Sequence, residues 1–302
     1  MVAIISHDAG GAEILSSWAK LRLESFCLVV EGPAKKIFER KLGVINCFPL
    51  EQALSIADWV LCGTSWQSDL EKKAINLAKE YNKKVISFID HWINYHERFM
   101  LNEKLVMPNE IWVGDQDAKN LATEFFPNTQ VTLKVNPYFI ELKSELEKIC
   151  HDVKFDDQGI VLYVCEPIRE HTLLQYGNER FWGFIEEEAL IFFIDNLSAL
   201  KVNIKEIRIR PHPSEQPEKY NWVHKKSNLN IVISAQKSLI EDIATANIIV
   251  GCESMAMVVG LQAGKRVVSS IPPGGKVCGL PQSEIQHLQK LIRAQHNMFL
   301  NA

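Results

Sequence analysis

The stretch Val2-Ala3-Ile4-Ile5-Ser6-His7-Asp8-Ala9-Gly10-Gly11 opens the chain and decides how the fold is read. A short, unbroken apolar run is the pattern of a strand covered on both faces. His7 to Gly11 read as a glycine-bearing turn, and the amphipathic spacing from Ala12 to Leu23 predicts a helix. Strand, glycine turn and helix in that order begin a doubly wound α/β unit.

The alternation continues outward from that start. Strands are predicted at Phe26–Val30, Gly43–Cys47, Trp59–Cys62, Lys84–Ile89, Glu110–Val113 and Gln130–Val135. Between them helices are predicted over Pro33–Lys41, Glu51–Ile56, Ser68–Tyr81 and Asp115–Phe126, with Ser68 and Glu71 spaced as a capping box. The aperiodic segment Asn94–Asn109 is long for a connection in an α/β domain and reads as a functional loop. Asn136-Pro137 reads as a boundary, giving domains 1–136 and 137–302. After a helix over Phe139–Cys150 and a polar stretch at Asp156-Asp157, the pattern restarts. Strands are predicted at Ile160–Cys165, Lys205–Arg210, Asn230–Ser234, Asn247–Val250 and Arg266–Ser269. Helices are predicted over Phe181–Leu200, from Ser238 (a second capping box, with Glu241), over Ser254–Ala263 and over Ser283–Asn297. Two parallel-sheet, Rossmann-like domains facing a cleft are the predicted architecture.

Bulk properties narrow the function. The chain has 302 residues, 47% of them hydrophobic and 23% charged, with a formal charge of −4, which argues against nucleic-acid binding by bulk electrostatics. The opening reads as a strand with no basic n-region, and Ser254–Gly264, a charge-free apolar stretch, is too short to span a bilayer, so a cytoplasmic protein is expected. Seven cysteines without a Cys-x-x-Cys pair, most inside apolar runs (Cys27, Cys62, Cys165, Cys252), fit reduced thiols rather than disulfides or structural zinc.

In open α/β sheets ligands bind outside the carboxyl ends of the strands. Arg210-Pro211-His212-Pro213 follows one such strand, where two prolines stiffen the turn that presents His212. Gly251-Cys252-Glu253-Ser254 follows another and opens into a helix. A cation, an imidazole and a serine at a helix N-terminus suit a phosphate. Ser254 is equally a simple N-cap, and Glu253 either a ribose ligand or a first-turn acid. Glu166, Arg169 and His171 follow the first strand of the second domain and read as a loop on the same edge. In the first domain, Gly10 and Gly11 allow close backbone approach, and His7 or Asp8 is a base, an acceptor ligand or a turn residue. Asp90-His91-Trp92 ends another strand, with Asp90 a candidate general base or a turn cap. Asp115-Gln116-Asp117 fits the first turn of a helix without any metal, and no cluster with zinc spacing is present.

His212-Pro213 together with the later strand-to-helix Ser254 resembles the GT-B glycosyltransferases, in particular bacterial sialyltransferases, capsule Kdo transferases and CDP-glycerol glycerophosphotransferases. The segment from Gly251 to Lys265 also resembles the nucleotide-binding part of UDP-N-acetylglucosamine 2-epimerases. The resemblance implies an inverting transferase of bacterial surface-glycan synthesis, using a nucleotide-activated sugar, CMP-linked as first choice, without metal. It implies donor contacts from Arg210, His212, Glu253, Ser254 and Glu166, with His212 stabilising the leaving phosphate. Asp90, or else Asp8, would be the base, and His7, Gly10, Gly11 and His91 would line the acceptor side. The acceptor would be a glycan or a lipid-linked molecule, the latter with peripheral membrane docking. Asp90 is followed by His91-Trp92 where the sialyltransferases carry Asp-Gly, and Ser254 by Met255 where they carry a second hydroxyl residue. The alternatives are an epimerase or hydrolase acting on UDP-N-acetylglucosamine, and a non-catalytic nucleotide-sugar-binding subunit whose loop Trp92–Phe99 meets a partner.

Overall fold

The computed structural model describes residues 1–22, 24–152, 159–226, 229–234 and 236–300. The chain divides into two compact units, Met1–Glu141 and Leu142–Ala302. The first unit begins β1 (Val2–Ser6), α1 (Ala9–Leu21), β2 (Phe26–Val30), α2 (Gly32–Leu42), α3 (Leu50–Ile56), β3 (Trp59–Cys62), α4 (Leu70–Glu80) and β4 (Lys84–Ile89). A 3-10 turn at Glu97–Phe99 leads into the antiparallel pair β5 (Met100–Leu101) and β6 (Lys104–Leu105). Then come β7 (Glu110–Val113), α5 (Gln116–Phe125), β8 (Gln130–Leu133) and α6 (Pro137–Asp152), within which the division between units falls.

Six of these strands form a parallel sheet ordered β2-β1-β3-β4-β7-β8. β1 is central, with Ile4 in register with Leu28 on one side and Leu61 on the other. All five of its residues are buried, which is why its sequence is apolar without alternation. Ile4, Leu15, Phe38, Leu61 and Phe88 belong to one buried cluster formed by helix and sheet side chains.

The second unit repeats the plan with β9 (Ile160–Val164), α7 (Ile168–Tyr176), α8 (Glu186–Asp195), β10 (Glu206–Arg210), β11 (Ile231–Ile233), α9 (Leu239–Thr245), β12 (Ile248–Gly251), α10 (Met255–Gln262), β13 (Arg266–Ser269), β14 (Gln286–His287) and α11 (Leu288–Leu300). Its parallel sheet runs β11-β10-β9-β12-β13-β14. The chain moves outward from β9 to β10 and β11, then returns to place β12 on the other side of β9. The carboxyl ends of β9 and β12 therefore form the topological switch point, where such sheets bind ligands. Val161, Tyr163, Phe193, Ile207, Tyr220 and Val250 belong to the core of this unit.

Several elements differ from the sequence expectation. Gly10 and Gly11 lie in the first turn of α1 rather than before it, and Leu23, the expected end of that helix, lies outside the described residues, as does Asp156-Asp157. Gly43–Cys47 makes only one bridge, Leu28 to Cys47: Gly43 takes φ +81°, Val44 is fully exposed, and Ile45 alone of the run packs against the core. The helix expected from Phe181 starts only at Glu186. Gly183 takes φ +85° there and packs so closely that a Cβ would stand 2.4 Å from the Gly274 carbonyl oxygen. That helix ends at Asp195, and a separate 3-10 turn covers Leu197–Leu200. The expected loop with Arg169 and His171 is the helix α7, closed by Gly177 in the left-handed conformation. A 3-10 segment over Pro217–Lys225 was not foreseen, and Ser283–Asn297 resolves into β14 and α11. Asn136 caps α6 with its side chain, accepting from the Tyr138 N–H at 3.0 Å, and Pro137 takes the first helical position.

Truncating the second core should therefore be costly while an exposed apolar residue should not matter. Phe193→Ala is expected to destabilise by about 3–5 kcal/mol, whereas Leu174→Ala, at a side chain 85% exposed, should stay within roughly 0.5 kcal/mol. Urea unfolding of both variants measures the difference.

Candidate functional site

In the first unit the carboxyl ends of β1, β3 and β4 gather polar groups. His7 leaves β1 with its Nδ1 2.8 Å from Asp8 Oδ1. A carboxylate only accepts, so this contact puts a proton on Nδ1, and in the neutral imidazole Nε2 is then the nitrogen with the lone pair. The face of the same ring packs on Gly32, where a Cβ would lie 2.5 Å from Nε2 and 2.9 Å from both Cδ2 and Cε1. Those near-equal distances place the glycine over the ring, so it does not block the in-plane lone pair. Gly32 also takes φ +52°, a second reason for glycine at this position.

Beneath this pair lies Glu71. Sequence spacing predicted a capping box with Ser68, but Glu71 Oε1 instead accepts the backbone N–H of His7 at 2.7 Å, and α4 starts from Asp69 without a side-chain cap. Burial pushes the Glu71 carboxyl up to about 7. Its own and the His7 backbone N–H groups oppose that rise, while the charge of Asp8 adds to it.

Asp90 ends β4 in a buried ion pair. Its Oδ1 meets Arg98 at 2.7 Å and Thr64 Oγ1 at 3.2 Å, and Arg98 also donates to Thr64 Oγ1 at 2.8 Å. Asp90 Oδ2 lies only 2.0 Å from where a Cβ on Gly10 would be. Gly10 is thus needed for contact between α1 and the protein's own carboxylate, and Gly11 for contact with the Gly63 backbone. His91 accepts the Trp92 backbone N–H at Nδ1 (2.9 Å), and the Trp92 indole donates to Asp115 Oδ2 at 3.0 Å. Asp115 caps α5 by accepting from Ala118 N–H at 2.7 Å.

In the second unit Glu166 follows β9 and accepts two backbone N–H groups just before α10, Cys252 at 3.0 Å and Glu253 at 2.8 Å. Although the residue keeps some exposed surface, its carboxyl head is deeply enclosed. Burial pushes it up to about 7, the charge of Glu253 adds to the rise, and the two amides oppose it. Glu253 is itself tied down, by Lys276 and by the Gly279 N–H at 3.0 Å, and Lys276 lies 3.4 Å from the centre of the Trp182 ring. Ser254 caps α10 through the Ala256 N–H at 3.2 Å.

His212 follows β10, the strand paired with β9. The Ser214 backbone N–H donates to its Nδ1 at 3.2 Å, and Ser214 Oγ lies 2.7 Å from the same nitrogen. An acceptor at Nδ1 means that the ring proton of the neutral imidazole sits on Nε2. Burial lowers its pKa, with Glu215 opposing and His171 adding to the fall. The His171 ring lies 6.4 Å away, edge to face. Arg210 turns elsewhere: its Nη1 pairs with the wholly buried Asp242 at 2.7 Å and donates to the Lys237 carbonyl at 2.8 Å.

Sequence reasoning missed the residues that hold the His212 turn. Glu215 accepts the His212 N–H at 3.0 Å and Tyr220 Oη–H at 2.9 Å, and Lys219 Nζ joins Glu215 (2.8 Å), Glu170 (3.0 Å) and Glu186. The three carboxylates converge closely enough to hold a metal ion, but the ammonium of Lys219 stands among them. Burial works against that charge, yet the carboxylates outweigh it and raise the Lys219 pKa. The i,i+4 spacing of Glu215 and Lys219 was the one visible sign.

No family model and no curated protein matches the sequence. Solved structures do. UDP-GlcNAc 2-epimerase from Neisseria meningitidis, bound to UDP-GlcNAc, is similar with a TM-score of 0.61 at 11% identity, over 99% of this chain and 91% of that one. A glycosyltransferase from Rickettsia africae is similar with a TM-score of 0.55 at 15% identity, over 99% and 88%. The α/β-galactoside α-2,3-sialyltransferase of Photobacterium phosphoreum follows with a TM-score of 0.50 at 8% identity, over 96% and 98%. At these identities the likeness establishes the fold: two parallel-sheet α/β domains of the GT-B type. No helix among the described residues is long and apolar enough to cross a membrane.

A carboxyl raised from 4.5 to about 7 binds a proton in the folded state that the unfolded chain has released, so its contribution to stability is full below pH 4.5 and is lost as pH rises to 7. Glu166→Gln should remove on the order of 3 kcal/mol of that loss. Thermal melts between pH 4.5 and 7.5 are expected to fall less steeply for the variant than for the wild type.

Proposed function

We propose that this chain is an enzyme acting on a nucleotide-activated sugar, and that it transfers the sugar to an acceptor hydroxyl. The observation that carries the proposal is the pair of imidazoles held in opposite tautomers. His212, with its proton on Nε2, is set to donate to a phosphate oxygen. His7, with its lone pair on Nε2, is set to take a proton. Leaving-group stabilisation and acceptor deprotonation are the two tasks of a direct sugar displacement.

In this reading the second unit holds the donor. The phosphate lies at the β9–β12 switch point against His212 Nε2 and the first turn of α10 beyond Ser254. Glu166 acts from behind by fixing the Cys252–Glu253 turn rather than by touching an anion, and Glu253 fixes the 272–279 loop. Arg210 supports the strand end through Asp242. The first unit receives the acceptor. His7 takes its proton and Asp8 holds the ring, in place of Asp90, whose Oδ1 is engaged by Arg98 and Thr64. The acceptor is a glycan or lipid-linked hydroxyl of a surface polysaccharide, and the scheme asks for no metal.

CMP- and UDP-sugars both meet these requirements. Likeness to a structure that carries UDP-GlcNAc supports the UDP-sugar, and likeness to a sialyltransferase supports the CMP-sugar. A second reading, epimerisation of UDP-N-acetylglucosamine, draws on the first of these likenesses. It is told apart by incubating donor alone, which yields an epimer only in that case.

Transfer should depend steeply on His7. With a panel of CMP- and UDP-sugars, His7→Gln is expected to lower kcat by roughly a hundredfold or more while nucleotide affinity stays unchanged. A variant as active as the wild type would remove His7 from the chemistry.

A further inference from the structure

Glu71 belongs to no role assigned so far, yet it is built into the base of the first unit's polar edge. The residue is 1% exposed, in the first turn of α4. One carboxyl oxygen accepts the His7 backbone N–H at 2.7 Å. The other, Oε2, is buried and has no hydrogen-bond partner. A buried carboxylate oxygen without a donor is costly, whereas a protonated one is far less so. The hydroxyls of Ser6, on the strand that leads to His7, and Ser87 on β4 are likewise buried without a partner.

We propose that Glu71 is the positioning residue of the His7–Asp8 pair: it pins the backbone of the base and, by taking up or releasing a proton, sets the charge beneath it. The inference rests on the reading of His7 as a base. It adds a residue that acts through His7 and never meets the substrate.

The charged surroundings of Glu71 are few. Asp8 and His7 face it from the β1–α1 turn, and Cys62 from the end of β3, where burial and the Glu71 charge both push the thiol up. On its own helix Lys72 is engaged by Asp69 at 3.0 Å. Of the other elements packed on α4, β4 carries Lys84 at its opposite end, bound to Glu110, α3 carries Glu51, and β5 carries no charge. Burial is the main force that keeps Glu71 protonated, and Asp8 reinforces it. As pH rises through 7 the carboxyl ionises, the His7 N–H gains a charged acceptor, and a negative charge appears under the imidazole. That charge is the electrostatic setting in which the ring takes the acceptor's proton.

Carbon-13 and amide-proton NMR of the full chain tests this without any substrate. The Glu71 carboxyl resonance is identified by its loss in Glu71→Gln, a variant that keeps an acceptor for His7. In the wild type it is expected to titrate with a midpoint near 7, and the His7 amide proton to shift with the same midpoint. Asp8→Asn removes one of the forces raising the carboxyl, so its midpoint should fall. Titration near the ordinary glutamate value of about 4.3, or a His7 amide that does not follow Glu71, overturns the proposal. In transfer assays the Glu71→Gln profile should lose the inflection near 7 in kcat while the donor KM holds. An inflection unchanged in the variant also overturns the proposal. Should the wild type transfer no sugar, the reading of His7 as a base falls, and the NMR titration alone then decides whether Glu71 pins and charges that turn.

Discussion

Parallel strands end together at one edge of a sheet, and the backbone groups left there must find partners. In this chain buried carboxylates meet much of that demand. Glu166 receives the two amides between β12 and α10, Asp90 lies against the first turn of α1, and Glu71 receives the amide of His7. Each is a carboxyl group set where a helix N-terminus or a strand end offers a backbone donor or the positive end of a dipole. The result is a pair of rigid edges whose exposed polar groups have fixed orientations. Sites held in this way waste little binding energy on ordering loops.

The two histidines acquire their different chemistry from that rigidity. A neutral imidazole has one donor and one acceptor nitrogen, and whatever grips the first decides the second. Asp8 grips His7 by accepting, and the Ser214 N–H grips His212 by donating. The turn that carries His212 is itself fixed by Glu215, whose carboxylate ties together a backbone N–H, a tyrosine hydroxyl and the Lys219 ammonium. That ammonium stands where three carboxylates would otherwise suit a cation. The protein has thus built a positive charge of its own into the place a metal ion would take.

Much of the fold is legible in the sequence because buried parallel strands are written as unbroken apolar runs. Val2–Ser6 and Ile248–Val250 read directly. The errors fall where three-dimensional crowding overrides pattern. The apolar stretch from Phe181 suggested one long helix, but the close pass of Gly183 against Gly274 delays its start. Gly10-Gly11 reads as a turn before the helix, but both glycines lie in its first turn, against Asp90 and Gly63. Of the candidate residues, His7 and Asp8 in the first unit and His212, Ser254 and Glu166 in the second are legible as polar residues at strand ends. Their partners were not. The link from Asp90 to Arg98 crosses an aperiodic loop, that from Arg210 to Asp242 spans 32 residues, and that from Glu71 to His7 spans 64. No local periodicity records such distances.

The central claim is that His212 presents an N–H to a nucleotide phosphate, and calorimetry of UDP and CMP against wild type and His212→Ala tests it most directly. Losing one hydrogen bond to a charged group is worth about 1.5–3 kcal/mol, so the variant should bind the preferred nucleotide roughly ten- to a hundredfold more weakly. Equal affinity in the two proteins, or no binding of either nucleotide to the wild type, would contradict the account.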